Sequence, residues 1–155
     1  NGGRAHFEQK SLQDWQEVFQ VNVFSLVELC KVVFERMALS KGGNGGSIVN
    51  LSSQVANFGA NNLLVYAASK GAVNAITVAL AKEIGHEGIR VNAVSPGLID
   101  TEDELLLNKQ LQLKISQIPL GRLGTPQDVG ELISWLISTK SAYISGAIIP
   151  IHGAR

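Results

Sequence analysis

The sequence predicts an α/β fold built on a parallel sheet, and three observations carry that expectation. Short apolar runs at 47–51, 89–94 and 147–151 have the length and β-branched content of strands buried on both faces. Longer segments with apolar residues at helical period separate them. The order helix–strand–helix–strand–helix–strand implies right-handed crossovers, which join parallel strands.

Taken in order, Asn1-Gly2-Gly3 reads as the end of a strand and the turn after it, and residues 4–10 as polar loop. Ser11, with Asp14 three positions on, is a capping-box helix start. Trp15, Val18, Phe19, Val23, Leu26, Val27, Cys30, Val33, Phe34 and Met37 then mark one helix over about 12–39. Gly42-Gly43-Asn44-Gly45-Gly46 follows a helix and precedes a strand. Phosphate-cradling loops have the reverse setting, so this one is a turn. A polar loop over 52–62 leads into a second long helix over about 63–85, rich in Ala and Gly. Its small side chains allow close approach of another helix, from this chain or a partner subunit. Gly85 and Gly88 stop it, and the strand at 89–94 ends in Ser95-Pro96-Gly97. A leucine-rich stretch over 102–118 predicts one or two short helices. Thr125-Pro126-Gln127-Asp128 starts a last helix, running to about 138. Nothing suggests an internal repeat or a second domain, so residues 1–155 read as a single domain.

Composition narrows the function. The 155 residues are 45% hydrophobic and 17% charged, with zero formal net charge. Zero net charge argues against a nucleic-acid or anionic-membrane partner. No apolar run approaches the ~20 residues of a membrane span. The single cysteine, Cys30, excludes an internal disulfide and sits at a helical apolar position, as a packed thiol does. His6, His86 and His152 show no metal-ligand spacing, so no metal site is expected. A reducing, cytoplasmic setting is the default. The chain begins at Asn1 and its one methionine is Met37. A processed product, a fragment or the ordered part of a longer chain is therefore expected.

Open parallel sheets bind ligands beyond the carboxyl ends of their strands. Ser52 and Ser53 follow the first strand, and 96–101 follow the second. Tyr66 and Lys70 lie four residues apart at the start of the next helix, hence on one face. A nearby cation favours phenolate and draws a tyrosine pKa down from about 10. A phenol so tuned can exchange a proton with an oxygen passing between carbonyl and alcohol. Asn22 is polar within an apolar helix; a buried amide needs partners, so it either holds a water or interrupts the helical hydrogen bonds.

The set Asn22, Ser53, Tyr66 and Lys70, with Pro96-Gly97-x-Ile99-x-Thr101, resembles the short-chain dehydrogenase/reductase family. The Ser53-to-Tyr66 spacing, the segment Gly124-Thr125-Pro126-Gln127-Asp128 and Ile144-Ser145-Gly146 extend the likeness over essentially the whole chain. The resemblance implies a Rossmann-like, doubly wound parallel sheet, of which the later strands and helices are present. It implies an oxidoreductase using NAD or NADP on a small-molecule carbonyl or alcohol. Tyr66 would be general acid/base, with Lys70 lowering its pKa and holding the nicotinamide ribose. Ser53 would orient the reacting oxygen, and Asn22 would hold a water serving Lys70. Pro96, Gly97, Ile99 and Thr101 would hold the nicotinamide end, with Asn1 and Gly3 also at the cofactor. Residues 102–118 look like a lid. A homodimer or homotetramer is implied as well.

Departures from the family pattern also carry expectations. The glycine-rich dinucleotide loop is absent from this sequence, so the 155 residues alone are expected to be inactive. Ile151-His152-Gly153-Ala154 stands where Asp-Gly-Gly is usual. The alternative is a non-catalytic family member serving as an assembly or regulatory subunit.

Overall fold

The computed structural model describes residues 4–101, 112–113 and 115–154. Asn1, Gly3 and most of the expected lid lie outside the described residues.

The capping box at Ser11 forms as expected. Ser11 Oγ accepts from the Asp14 amide at 3.2 Å, and Asp14 Oδ2 accepts from the Ser11 amide at 2.8 Å. Helix α1 (Leu12–Phe19) passes through a π-helical turn at Gln20–Phe24 into α2 (Ser25–Met37). The single helix expected over 12–39 is therefore one helical course with a wide turn in its middle. It ends at Met37, because Ala38 turns extended and is fully buried beside Ile84, Ile89 and Val91.

The glycine run is a turn, as expected. Gly42 and Gly45 take φ of +83° and +74°, the left-handed region. A Cβ at Gly45 would come 2.5 Å from the Gly88 carbonyl oxygen, so two turns can touch only through glycine. Strand β1 (Gly46–Leu51) follows, and the expected loop contains a short helix, α3 (Val55–Phe58). Helix α4 (Leu64–Ile84) leads to β2 (Ile89–Pro96), which runs two residues beyond the expected strand. Helix α5 (Pro126–Ile137) and β3 (Ile148–Ile151) complete the order. Thr125 caps α5 with Asp128 as its reciprocal partner.

The three strands are parallel in the order β1-β2-β3, with Ile48 opposite Val91 and Ala93 opposite Ile148. Strand alternation assigns the faces. Ile48, Ile89 and Val91 join Phe34, Met37, Leu80 and Ala81 in one apolar cluster, and Asn50 Nδ2 donates to Thr77 Oγ1 at 2.9 Å. Those residues face α2 and α4. On the opposite face, Ser47 Oγ and Arg90 Nη2 donate to the Leu136 carbonyl of α5, at 3.1 and 2.8 Å. Helices cover both faces, as a doubly wound sheet requires.

By length and composition, Leu64–Glu87 (24 residues, mean hydropathy 1.4) is long and apolar enough to cross a membrane. That corrects the expectation that no stretch nears a span. Ser69, Asn74 and Thr77 interrupt the apolar run without lowering its mean far. All three side chains bond to neighbouring elements, through Asn22, Ser52 and Asn50.

Leu136 is fully buried while its neighbour Ile137 is 57% exposed. Leu136→Ala should lower the unfolding free energy by about 2–5 kcal/mol in urea titration, and Ile137→Ala by much less. Equal losses would contradict the assignment of α5's inner face.

Candidate active site

Sequence geometry distinguishes the two serines after β1. Ser52 turns inward: its amide donates to the Val94 carbonyl at 2.8 Å and its hydroxyl bonds to Asn74 Oδ1 of α4. Ser53, one residue on, faces the other way and lines a cleft of about 460 Å³ at the carboxyl ends of the strands. Tyr66, in the first turn of α4, lines the same cleft, as do Gly97 and Leu98 after β2. Among the described residues Ser53 Oγ makes one long 3.5 Å contact, from the Val55 amide, and its hydroxyl proton is not used there.

Lys70 lies one helical turn after Tyr66. Its Nζ donates to the Leu51 carbonyl at 2.8 Å and stands 5.8 Å from the Tyr66 ring centroid. That distance falls within cation–π reach. One of three ammonium N–H groups is thus engaged by the strand end, leaving two. Burial disfavours the charged form and lowers the Lys70 pKa below the ordinary lysine value.

Asn22 sits inside the π-helical turn, fulfilling the expectation that it interrupts the helical hydrogen bonds. Its Nδ2 donates to Ser69 Oγ at 2.9 Å, and that hydroxyl donates to the Tyr66 carbonyl at 2.8 Å. Asn22 is therefore tied through Ser69 to the backbone of Tyr66.

The expected cofactor residues divide. Gly97 lines the cleft, and the Pro96 carbonyl accepts from the Gln54 amide at 2.9 Å. Ile99 instead pairs in a bridge with Gly124, its Cδ1 occupying the space a Gly124 Cβ would need. Thr101 is exposed at the edge of the described residues. Leu63 lines the cleft, whereas Leu64 does not.

Sequence reasoning missed Arg4, Gln54, Val55 and Leu98, all of which line the cleft. It also missed a set of buried polar atoms without hydrogen-bond partners: Gln54 Oε1, Ser95 Oγ, Asp100 Oδ1 and His152 Nδ1. Two of them, on Gln54 and His152, belong to residues that meet Gly97 in the turn after β2. A Cβ on Gly97 would lie 2.6 Å from His152 Cβ and 3.1 Å from Gln54 Oε1. His152 in turn meets the Phe58 ring edge-on at 6.2 Å. No periodicity marks such residues; only the crossing of β1, β2 and β3 brings them together. Among the described residues no His, Cys, Asp and Glu cluster could hold a metal.

A parallel sheet wound on both faces, with a serine, a tyrosine and a lysine at its carboxyl rim, places this chain in a known group. It belongs to the short-chain dehydrogenase/reductase family. A family model described as enoyl-(acyl carrier protein) reductase matches residues 2–153. The chain is 38% identical over 144 residues to a 3-oxoacyl-acyl-carrier-protein reductase of Chlamydia pneumoniae, covering 92% of this chain and 57% of that one. It is 40% identical to the Thermotoga maritima protein of the same description over 142 residues, covering 91% and 56%. A (3R)-3-hydroxyacyl-CoA dehydrogenase of Canis lupus familiaris is 38% identical, covering 92% and 55%. The chain thus spans little more than half the length of these relatives.

Solved structures agree on the fold. An Agrobacterium tumefaciens protein described as a 2-deoxy-d-gluconate 3-dehydrogenase, with bound NADP, superposes with a TM-score of 0.90 at 32% identity. It is covered over 62% of its length by 97% of this chain. A 4-hydroxyisoleucine dehydrogenase mutant, complexed with NADH and succinate, gives 0.89 at 31%, with the same coverage.

The lowered Lys70 pKa has a sign. Between its folded and unfolded values the unfolded chain binds more protons, so stability from this group rises with pH across that window. Carbon-13 NMR of labelled lysines should show one residue, lost in Lys70→Met, titrating below the others. A Lys70 resonance titrating with the exposed lysines would contradict its burial.

Proposed function

We propose that this chain supplies the catalytic and substrate-binding part of a nicotinamide-dependent oxidoreductase that interconverts a carbonyl and a secondary alcohol. One observation carries the reading: Ser53 and Tyr66 line a single cleft, with the Lys70 ammonium beside the Tyr66 ring.

Tyr66 Oη gives its proton to the carbonyl oxygen as that oxygen becomes an alcohol, and takes it back in the reverse direction. The Lys70 charge stabilises the negative charge left on the phenol oxygen. Ser53 donates its free hydroxyl proton to the same substrate oxygen, a preorganised donor aimed where charge develops. Asn22 acts through Ser69, fixing the turn that carries Tyr66.

The cofactor is NAD or NADP, which supplies or accepts the hydride when bound. The residues around the turn after β2 fit its nicotinamide end. The carboxamide N–H groups are donors, and Gln54 Oε1, beside Gly97, is a buried acceptor without a partner. Pro96, Gly97 and the two remaining Lys70 N–H groups are the other points of attachment. The similarity to NADP- and NADH-bound proteins supports this choice.

Self-association as a homodimer or homotetramer belongs to the same proposal. Val21, Phe24, Leu29 and Val32 form an exposed apolar stripe along the helical course that packs on α4.

In the whole protein, Tyr66→Phe should cut turnover about 10²–10⁴-fold, with Kd for the reduced cofactor little changed. Ser53→Ala should cut it about 10²-fold or more, read in the same assay of nicotinamide absorbance. Wild-type turnover in Tyr66→Phe would overturn the catalytic assignment.

A further inference from the structure

The cleft at the sheet rim does not end at Tyr66. It shares Arg4, Gln54, Val55, Leu63 and Leu98 with a second cleft of about 570 Å³ that continues past Phe58 to Asn61. Val55, Leu63 and Leu98 make the shared walls apolar, and Phe58 extends them in the second cleft. Arg4 lines both halves and is the one formally charged side chain in either lining among the described residues.

The backbone beside Arg4 is tied to the loop before α4, while the Arg4 side chain is exposed. The Ala5 amide donates to the Asn62 carbonyl at 3.3 Å, and Asn62 takes a φ of +63° at that point of the loop. No ion pair or side-chain hydrogen bond among the described residues uses the Arg4 guanidinium. Its five N–H donors are fixed in a fork, and it stays charged at any working pH. A ligand filling the cleft strips water from that group. A cationic ligand would be repelled, and a neutral one would leave the fork unsatisfied. A carboxylate or phosphate matches it in charge and geometry.

We infer that the substrate is an anionic carbonyl compound, with Arg4 binding a carboxylate or phosphate at the end remote from the reacting carbon. An apolar arm between the two ends would lie against Val55, Phe58, Leu63 and Leu98. The reacting end rests on the carbonyl–alcohol reading above; the anion-binding end does not.

The test compares three ligands in the whole protein: a keto acid whose ketone and terminal carboxylate are separated by an alkyl chain, its neutral methyl ester, and an analogue with a terminal phosphate. Arg4→Gln should lower the acid-to-ester ratio of kcat/KM by roughly ten- to hundredfold, mainly through KM. Arg4→Lys should restore part of it, since it keeps the charge and loses the fork. The phosphate arm identifies the anion: the ligand whose kcat/KM falls further in Arg4→Gln carries the native group. Kd for each ligand is also measured by calorimetry in Tyr66→Phe and in the double variant with Arg4→Gln, so that turnover is not needed. Loss of anion preference there supports the assignment even if wild type turns over none of the three, in which case only the redox reading falls. Equal effects on acid and ester, no effect, or a weakening confined to the cofactor would overturn it.

Discussion

The site depends on one hydrogen bond between a helix and a strand end, from Lys70 Nζ to the Leu51 carbonyl. Leu51 is the last residue of β1. An ammonium that bridges to it does two things. It sets the depth at which α4 crosses the sheet rim, and it keeps a cation beneath the Tyr66 ring. The cost is partial burial of a charge, which shows as the lowered Lys70 pKa. A surface salt bridge at the same position would be solvated and would hold little.

Hydrogen bonds on the other side of α4 complete the support. Asn22, Ser69 and the Tyr66 carbonyl form a chain from the π-helical turn to the backbone of Tyr66. Asn50 with Thr77, and Ser52 with Asn74, do the same between β1 and α4 farther along the helix. Each is a polar pair in a largely apolar contact layer, and an unpaired member there would be costly. The small residues of α4 let these short side chains reach one another. The rim geometry is thus held by three cross-links plus Lys70, all converging on one helix.

The fold was legible because its signals were periodic or local. The strands at 47–51 and 89–94, the capping boxes at Ser11 and Thr125, and the glycine turn at 42–46 each rest on a few adjacent residues, although only β2 is buried as expected while β1 is largely half-exposed. The placement of Ser53, Tyr66 and Lys70 at one rim was legible through spacing along one strand end and one helix. What was not legible depends on the crossing of separate elements. Arg4 lies in irregular loop, and its place in the cleft lining has no local sequence signal. His152 looked like a departure from a pattern until it stood against Gly97 and Phe58. Ile99 fitted the motif by spacing, yet its side chain packs on Gly124. Helix α3 was hidden because four residues are too few to show a period. The apolar mean of α4 was hidden because scattered polar residues break the run into short pieces without lowering its mean far.

The central claim is that one substrate oxygen meets both the Tyr66 phenol and the Ser53 hydroxyl. The most direct measurement is a crystal structure of the whole protein with a nicotinamide cofactor and a non-reacting carbonyl ligand. Tyr66 Oη and Ser53 Oγ should both lie within hydrogen-bond distance of the carbonyl oxygen, with Lys70 still bonded to the Leu51 carbonyl. A ligand oxygen bound by neither group, with Tyr66 turned out of the cleft, would contradict the account.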